Sequence, residues 1–313
     1  MIDHYLIQPD GVTTTSRDNA NWIVLQDASD DETQQVIDTY ELPANIFDNA
    51  NEGVEVSELK KLKHTRFATS YSLVLTNLSA ATDDSIEERL EPLSFVVTDQ
   101  FLITYVCQDS TFIERLLEQH ATEITSSELL VSYAILEIYE HYVMELTALK
   151  TTIDELDQAA RETTRNDELF RLANTQRTMV FLDQTLQDQA KTLKAMFNND
   201  DYIQKLNNEA LQYDIELQQR YADKLVRTYR DLLETIGGLF SDMMDNRLNH
   251  LMKYLDSAGL IISIPALITG IWGMNTGGLP GEDSPMTFMI VIGLSAVLAI
   301  VAGVHLKNKD FSE

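Results

Sequence analysis

Residues 257–272 read SAGLIISIPALITGIW and residues 286–306 read MTFMIVIGLSAVLAIVAGVHL, and neither run contains Lys, Arg, Asp or Glu. Each approaches the roughly 20 residues that a helix rising about 1.5 Å per residue needs to cross about 30 Å of hydrocarbon. The intervening stretch, GMNTGGLPGEDSP, is short and polar. The pattern predicts a transmembrane hairpin in residues 257–313. The whole-chain mean hydropathy of −0.16 conceals it, because 256 mostly polar residues come first.

The flanks predict orientation. Arg247 and Lys253 precede the first run, Lys307 and Lys309 follow the second, and the loop holds Glu282 and Asp283 with no base. An excess of Lys and Arg marks cytoplasmic flanks, so both termini are expected in the cytoplasm of a multi-pass protein of the cell membrane. Residues 1–25 lack a basic start followed by an apolar stretch, so no signal peptide is expected. Cys107 is the single cysteine, which excludes an intrachain disulfide. It ends the strand-like run Phe101-Leu-Ile-Thr-Tyr-Val-Cys and reads as a core residue.

Fifty acidic residues face 23 basic ones, for a net charge of −27, and residues 1–256 hold 46 of the acids and 21 of the bases. A body this negative repels phosphates, which argues against a nucleic-acid partner, and it concentrates cations around itself. The same charge serves solubility or a salt-adapted cell equally well.

Upstream of the hairpin the fold class reads as α+β. Residues 1–125 form an α/β cytoplasmic domain: β-rich runs begin at Tyr5, Trp22, Tyr71, Leu93 and Phe101, and helical stretches fall near 31–41, 43–49, 84–89 and 110–120. Thr98-Asp99-Gln100 suits a tight turn between two strands. Residues 126–256 form a helical stalk with breaks near 163–167 and 198–201. Its last helix is expected to run from about Asp201 through the first membrane span to Asn275. Such helices need neighbours to bury an apolar face.

Steps of three and four from Met252 reach Asp256, Gly259, Ser263, Ala266, Gly270 and Gly273, while the remaining surface is largely Leu and Ile. A small or polar face of this kind suits close helix packing in lipid, or the wall of an aqueous pore. Two helices per chain do not enclose a pore, so the second reading requires a homo-oligomer.

Trp272-Gly273-Met274-Asn275, set between a long helix and one last membrane span with a basic tail, resembles the Gly-Met-Asn signature of the CorA superfamily of divalent-cation transporters. Tyr229-Arg230-Asp231, Asn246-Arg247-Leu248-Asn249 and Met252-Lys253 extend the resemblance. It implies a funnel-shaped homopentamer in the lipid bilayer and a channel for Mg²⁺. Gly273, Met274 and Asn275 would form the selectivity filter, with Asn249, Met252, Leu255, Asp256, Gly259, Ser263, Ala266 and Gly270 along the pore. It further implies a regulatory metal site at Asp48 and Asp214, with Glu282 and Asp283 attracting cations at the outer mouth. The divalent ion (Mg²⁺, Zn²⁺ or Co²⁺) is then substrate and regulator, with no cofactor and no small-molecule substrate. The loop Thr276-Gly277-Gly278-Leu279-Pro280 is closer to the zinc-transporting branch, whose flow is proton-coupled in one reading. Scattered histidines (His4, His64, His120, His141, His250, His305) and the lack of a phosphate-cradling glycine loop argue against an enzyme. A membrane-anchored structural coiled coil would explain the stalk but not the small-residue face.

Overall fold

The computed structural model describes residues 1–47, 56–62, 67, 70–79, 85–106, 110–162, 165–274, 278, 280–281 and 285–308. Seven runs form strands: β1 (Ile2–Gln8), β2 (Gly11–Thr14), β3 (Trp22–Gln26), β4 (Glu58–Lys61), β5 (Ser70–Leu78), β6 (Leu90–Thr98) and β7 (Leu102–Val106). They pair in one sheet of order β2-β1-β3-β7-β6-β5-β4. Only β3 and β7 run parallel, with Trp22 opposite Leu102 and Leu25 opposite Tyr105. All other neighbours are antiparallel. Parallel neighbours need a long crossover and cover on both faces, which explains why β3 is buried from Trp22 through Leu25.

The helices are α1 (Asp30–Tyr40), a single turn α2 (Ile86–Arg89), α3 (Phe112–His120), α4 (Ser127–Glu162), α5 (Asn166–Phe197), α6 (Asp200–Leu206), α7 (Glu209–Trp272) and α8 (Pro285–Asn308). A capping box starts α1: the Glu32 N–H donates to Ser29 Oγ, and the Ser29 N–H donates to the Glu32 carboxylate at 3.0 Å. Val36 and Ile37 of α1 join Ile23, Leu25, Val96 and Ile103 in the core on one sheet face. The alternation of side chains turns Trp22, Leu73, Leu93 and Phe95 to the other face. There Tyr142 of α4 and Gln189 of α5 both donate to the Thr76 carbonyl, at 3.0 and 3.1 Å.

A polar chain threads this second interface. Asn77 Nδ2 donates to Glu91, which turns Asn77 Oδ1 toward His141 Nδ1 at 3.0 Å. His141 Nε2 lies 2.9 Å from Glu137 Oε1 and 3.1 Å from Arg115 Nη1. Glu137 is 2 % exposed. The bond with His141 holds its carboxyl below the usual range, against the opposing effect of burial. Arg89 grips Glu145 through two contacts of 3.0 and 2.9 Å, tying α2 to α4.

Three expectations need correction. Residues 43–47 are not helical: the Ile46 N–H bonds to the Pro43 carbonyl at 3.1 Å in a turn, and Phe47 stacks on Tyr105, so core packing overrides local preference. Residues 48 and 49 lie outside the described residues, as does Cys107. The last long helix does not begin at Asp201. Tyr202 is drawn into hydrogen bonds with Ser132 and the Glu128 carbonyl, α6 stops, and Asn207 takes a left-handed conformation (φ 43, ψ 36). Asn208 Oδ1 then accepts from the Leu211 N–H at 3.0 Å, and α7 starts at Glu209. At its other end α7 stops at Trp272, not Asn275, although the Gly273 N–H still bonds to Thr269 O. Strands β2 and β4 are additions to the expected set.

The chain forms two compact units, Met1–Gly237 and Gly238–Glu313, divided at a glycine pair inside α7. In the first, Leu211, Ile215, Ala222, Val226, Tyr229, Leu233 and Ile236 are buried at steps of three, four and seven. That stripe packs on α5, where Gln176 donates to the Leu233 carbonyl and Arg230 meets Asp183 at 2.9 Å. The second unit holds the rest of α7 and all of α8. Each contributes a segment long and apolar enough to cross a membrane.

Candidate functional site

Within the second unit one side of α7 is half-buried and the other is bare. Ser257, Ala258, Ile261, Ile264, Pro265, Ile268 and Trp272 are half-buried. At about 100° per residue they fall within roughly 60° of one line along the helix. That line faces α8: a Cβ placed on Gly303 would lie 3.6 Å from Ile261 Cδ1. From α8, Val291 and Ser295 turn inward.

Asn249, Met252, Leu255, Asp256, Gly259, Ser263, Ala266 and Gly270 are all exposed. They fall within roughly 60° of the opposite line. A side chain added at Gly259 or Gly270 would meet nothing within 4 Å. The eight residues named from the sequence as pore-lining therefore share one strip, on the side of α7 that α8 leaves uncovered.

Local chemistry keeps this strip polar without breaking the helix. Pro265 sits on the α8 side and has no N–H to give Ile261, so a backbone bond is lost in mid-span. One turn on, the Thr269 hydroxyl donates to the Pro265 carbonyl at 2.9 Å. The Ser263 hydroxyl donates to Leu260 O at 2.9 Å, which satisfies it while its oxygen stays on the strip.

Charge is also sorted around α7, a pattern carried by the sequence at the same 100° step. Asp245 and Asp256 lie on the strip, while Arg247 and His250 lie on the opposite side and Lys253 on the flank between. Above the strip, Gly273 continues the helical bonding and would hold a Cβ only 3.2 Å from Thr269 O. Met274 follows, 54 % exposed. At the far end of the loop, Gly281 has φ 82, a left-handed conformation suited to glycine. A Cβ there would collide with Thr287, whose hydroxyl donates to the Gly281 carbonyl at 2.7 Å. Asn275, Glu282 and Asp283 lie outside the described residues.

In the first unit Asp214 is exposed near the start of α7, and Asp48 lies outside the described residues. Asp214 adds to a negative field around α4. Burial and then Glu140's acidic neighbours, Glu137 and Asp214, raise the Glu140 carboxyl. Burial, the hydrogen bond to Glu123 and the charges of Glu123 and Asp214 push the Tyr133 hydroxyl up to about 12. No cluster of three or more His, Cys, Asp or Glu side chains with metal-holding geometry occurs among the described residues.

A family model described as "CorA-like Mg2+ transporter protein" matches residues 17–308. The chain belongs to the CorA-like family. Over 180 residues it is 26 % identical to the cobalt/magnesium transport protein CorA of Methanocaldococcus jannaschii, which covers 55 % of this chain and 54 % of that protein. It thus spans about half the length of that curated relative. The CorA magnesium transporter structure from the same organism superposes with a TM-score of 0.78 at 18 % identity, covering 99 % of this chain and 98 % of the other. The ZntB cytoplasmic domain from Vibrio parahaemolyticus superposes with a TM-score of 0.55 at 14 % identity, covering 79 % and 98 %. These likenesses establish a CorA-type fold: an N-terminal sheet domain, long helices and two apolar C-terminal helices.

Proposed function

We propose that this CorA-like chain conducts divalent cations, Mg²⁺ foremost, across the cell membrane through a pore walled by the uncovered strip of α7. The supporting observation is the coincidence of three properties on that strip: small or polar side chains, exposure opposite α8, and a course that leads to Gly273 and Met274. Relatives named as magnesium and cobalt transporters support the ion class.

One strip is one wall, so the working unit is a homo-oligomer, a funnel-shaped homopentamer by family resemblance, with both termini of each chain in the cytoplasm. Mg²⁺ holds its waters tightly, so a ring of Gly273 and Met274 carbonyls and Asn275 amides selects the ion through its hydration shell. Glu282 and Asp283 raise the cation concentration outside. Met252 and Leu255 narrow the path with apolar surface that closes by dewetting. Asp245 and Asp256 offset the cost of bringing a dication to the membrane boundary. Asp48 and Asp214 of adjacent copies hold a regulatory ion that keeps the pore shut.

Zn²⁺ is the second reading, supported by the Gly277-Gly278-Leu279-Pro280 loop and the ZntB-like fold of the first unit. Purified protein in liposomes, loaded with a Mg²⁺-sensitive dye and challenged with competing Co²⁺ and Zn²⁺, decides between them. Mg²⁺ entry that excess Zn²⁺ leaves unchanged supports the first. No cation flux from correctly assembled protein refutes both.

A further inference from the structure

A groove of about 550 Å³ opens between α7 and α8, on the side of α7 away from the strip. Along α7 its lining passes from His250, Lys253 and Tyr254 to Ile261 about two turns later, and α8 supplies Gly303 and Leu306. One end is therefore cationic and rich in N–H and O–H donors, and the continuation is apolar. Gly303 keeps it open, since a Cβ there would make only ordinary contact with Ile261 and a longer side chain would enter the groove.

The charge around it is opposite to that of the chain as a whole. The protein carries −27, yet Asp245 and Asp256 sit on the strip while Arg247 and His250 lie on the groove side and Lys253 lines the groove from the flank. A water-soluble anion would use the cationic end and leave the apolar part unused. A zwitterionic lipid would fill the apolar part and gain less at the other end. An anionic phospholipid matches both, and basic pockets between helices at a membrane boundary are suited to such headgroups.

We propose that the groove binds one anionic phospholipid per chain, its phosphate against His250 and Lys253 and an acyl chain along Ile261 and Gly303. The lipid would fix the α8 side of α7 at the membrane boundary and so hold the opposite strip toward its own function. The site rests on reading α7 and α8 as membrane spans, but not on ion conduction.

Native mass spectrometry of the full-length protein in neutral detergent tests it, with phosphatidylglycerol and phosphatidylcholine of identical chains titrated separately. A base near the headgroup favours the anionic lipid by about fivefold. We expect phosphatidylglycerol to be retained by at least that factor over phosphatidylcholine. Lys253→Gln should erase most of the preference, Gly303→Leu should weaken both lipids, and glycerol phosphate should not compete. The same spectra report assembly, and Lys253→Gln, which alters an exposed side chain, carries the test if Gly303→Leu does not assemble. Equal retention of the two lipids, a preference unchanged in Lys253→Gln, or competition by glycerol phosphate overturns the proposal. So does an oligomer that retains no lipid, the result expected if a second copy fills the groove. Because flux is not measured, these outcomes are separate from the fate of the transport reading.

Discussion

Asp256→Asn removes one negative charge per chain while keeping side-chain size, at a position where α7 is exposed and turned away from α8. If the strip faces the ion path, a hydrated dication passes within about 5 Å of this carboxylate. Coulomb attraction there is about 1.7 kcal/mol at the dielectric constant of water. Physiological salt, with a screening length of about 8 Å, lowers it to roughly 1 kcal/mol. Each carboxylate thus raises local ion occupancy about fivefold, and symmetry-related copies add to that. Asp256→Asn should therefore lower divalent flux in liposomes by at least about fivefold at subsaturating ion. The deficit should shrink as ionic strength or ion concentration rises. Flux indistinguishable from wild type in assembled protein would refute the reasoning. An independent check places cysteine at 256 in a Cys107→Ser background: a water-soluble thiol reagent that modifies it without changing conduction puts the residue outside the path.

Asn275→Ala should abolish selective uptake and leave the oligomer intact, read by flux and native mass; wild-type uptake would remove Asn275 from the filter. Replacing Asp48 or Asp214 by Ala should weaken inhibition by internal Mg²⁺, and unchanged inhibition in the double variant would discard that site. Glu137→Ala removes the buried carboxylate partner of His141 in the first unit, and losing a hydrogen bond to a charged group costs about 1.5–3 kcal/mol, measured as a lower unfolding midpoint of the full chain. Because the native Glu137 carboxyl is depressed, its contribution in the wild type is complete above the unfolded value near 4.5 and is lost as pH falls through the native one. A wild-type and Glu137→Ala difference that stays constant down through that window would contradict the assignment.

The two apolar C-terminal helices, the small-residue strip and five of the seven strands were legible because each has a pattern: unbroken apolar runs for the helices, a 3.6-residue period for the strip, and a period of two or a short apolar run for the strands. Strand β4 was not, since Glu58-Leu-Lys-Lys has three charged residues in four and earns its conformation by pairing with β5 at the sheet edge. The stop at Asn207 had a local signal in the Asn207-Asn208 pair, one residue tolerating the left-handed turn and the next capping α7. It was masked by helical periodicity on both sides. Which side of α7 meets α8 was not readable, because Ile and Leu occupy most of the helix surface and only packing separates the Ile261 side from the Gly259 side.

The parallel junction of β3 with β7 also sets a schedule for the newborn chain. Trp22 pairs beside Leu102, and its indole N–H donates to the Thr104 hydroxyl, 82 residues later. At ribosomal speeds of about 5–20 residues per second, the edge Trp22-Ile-Val-Leu waits roughly 4–16 s for its partner strand to be made. Until then β1, β2 and β3 form a three-stranded ribbon whose most apolar edge is open, the kind of edge that recruits other chains. Biogenesis of this protein therefore has a vulnerable interval long before any membrane segment leaves the ribosome, and a holdase that covers apolar strands would act during it.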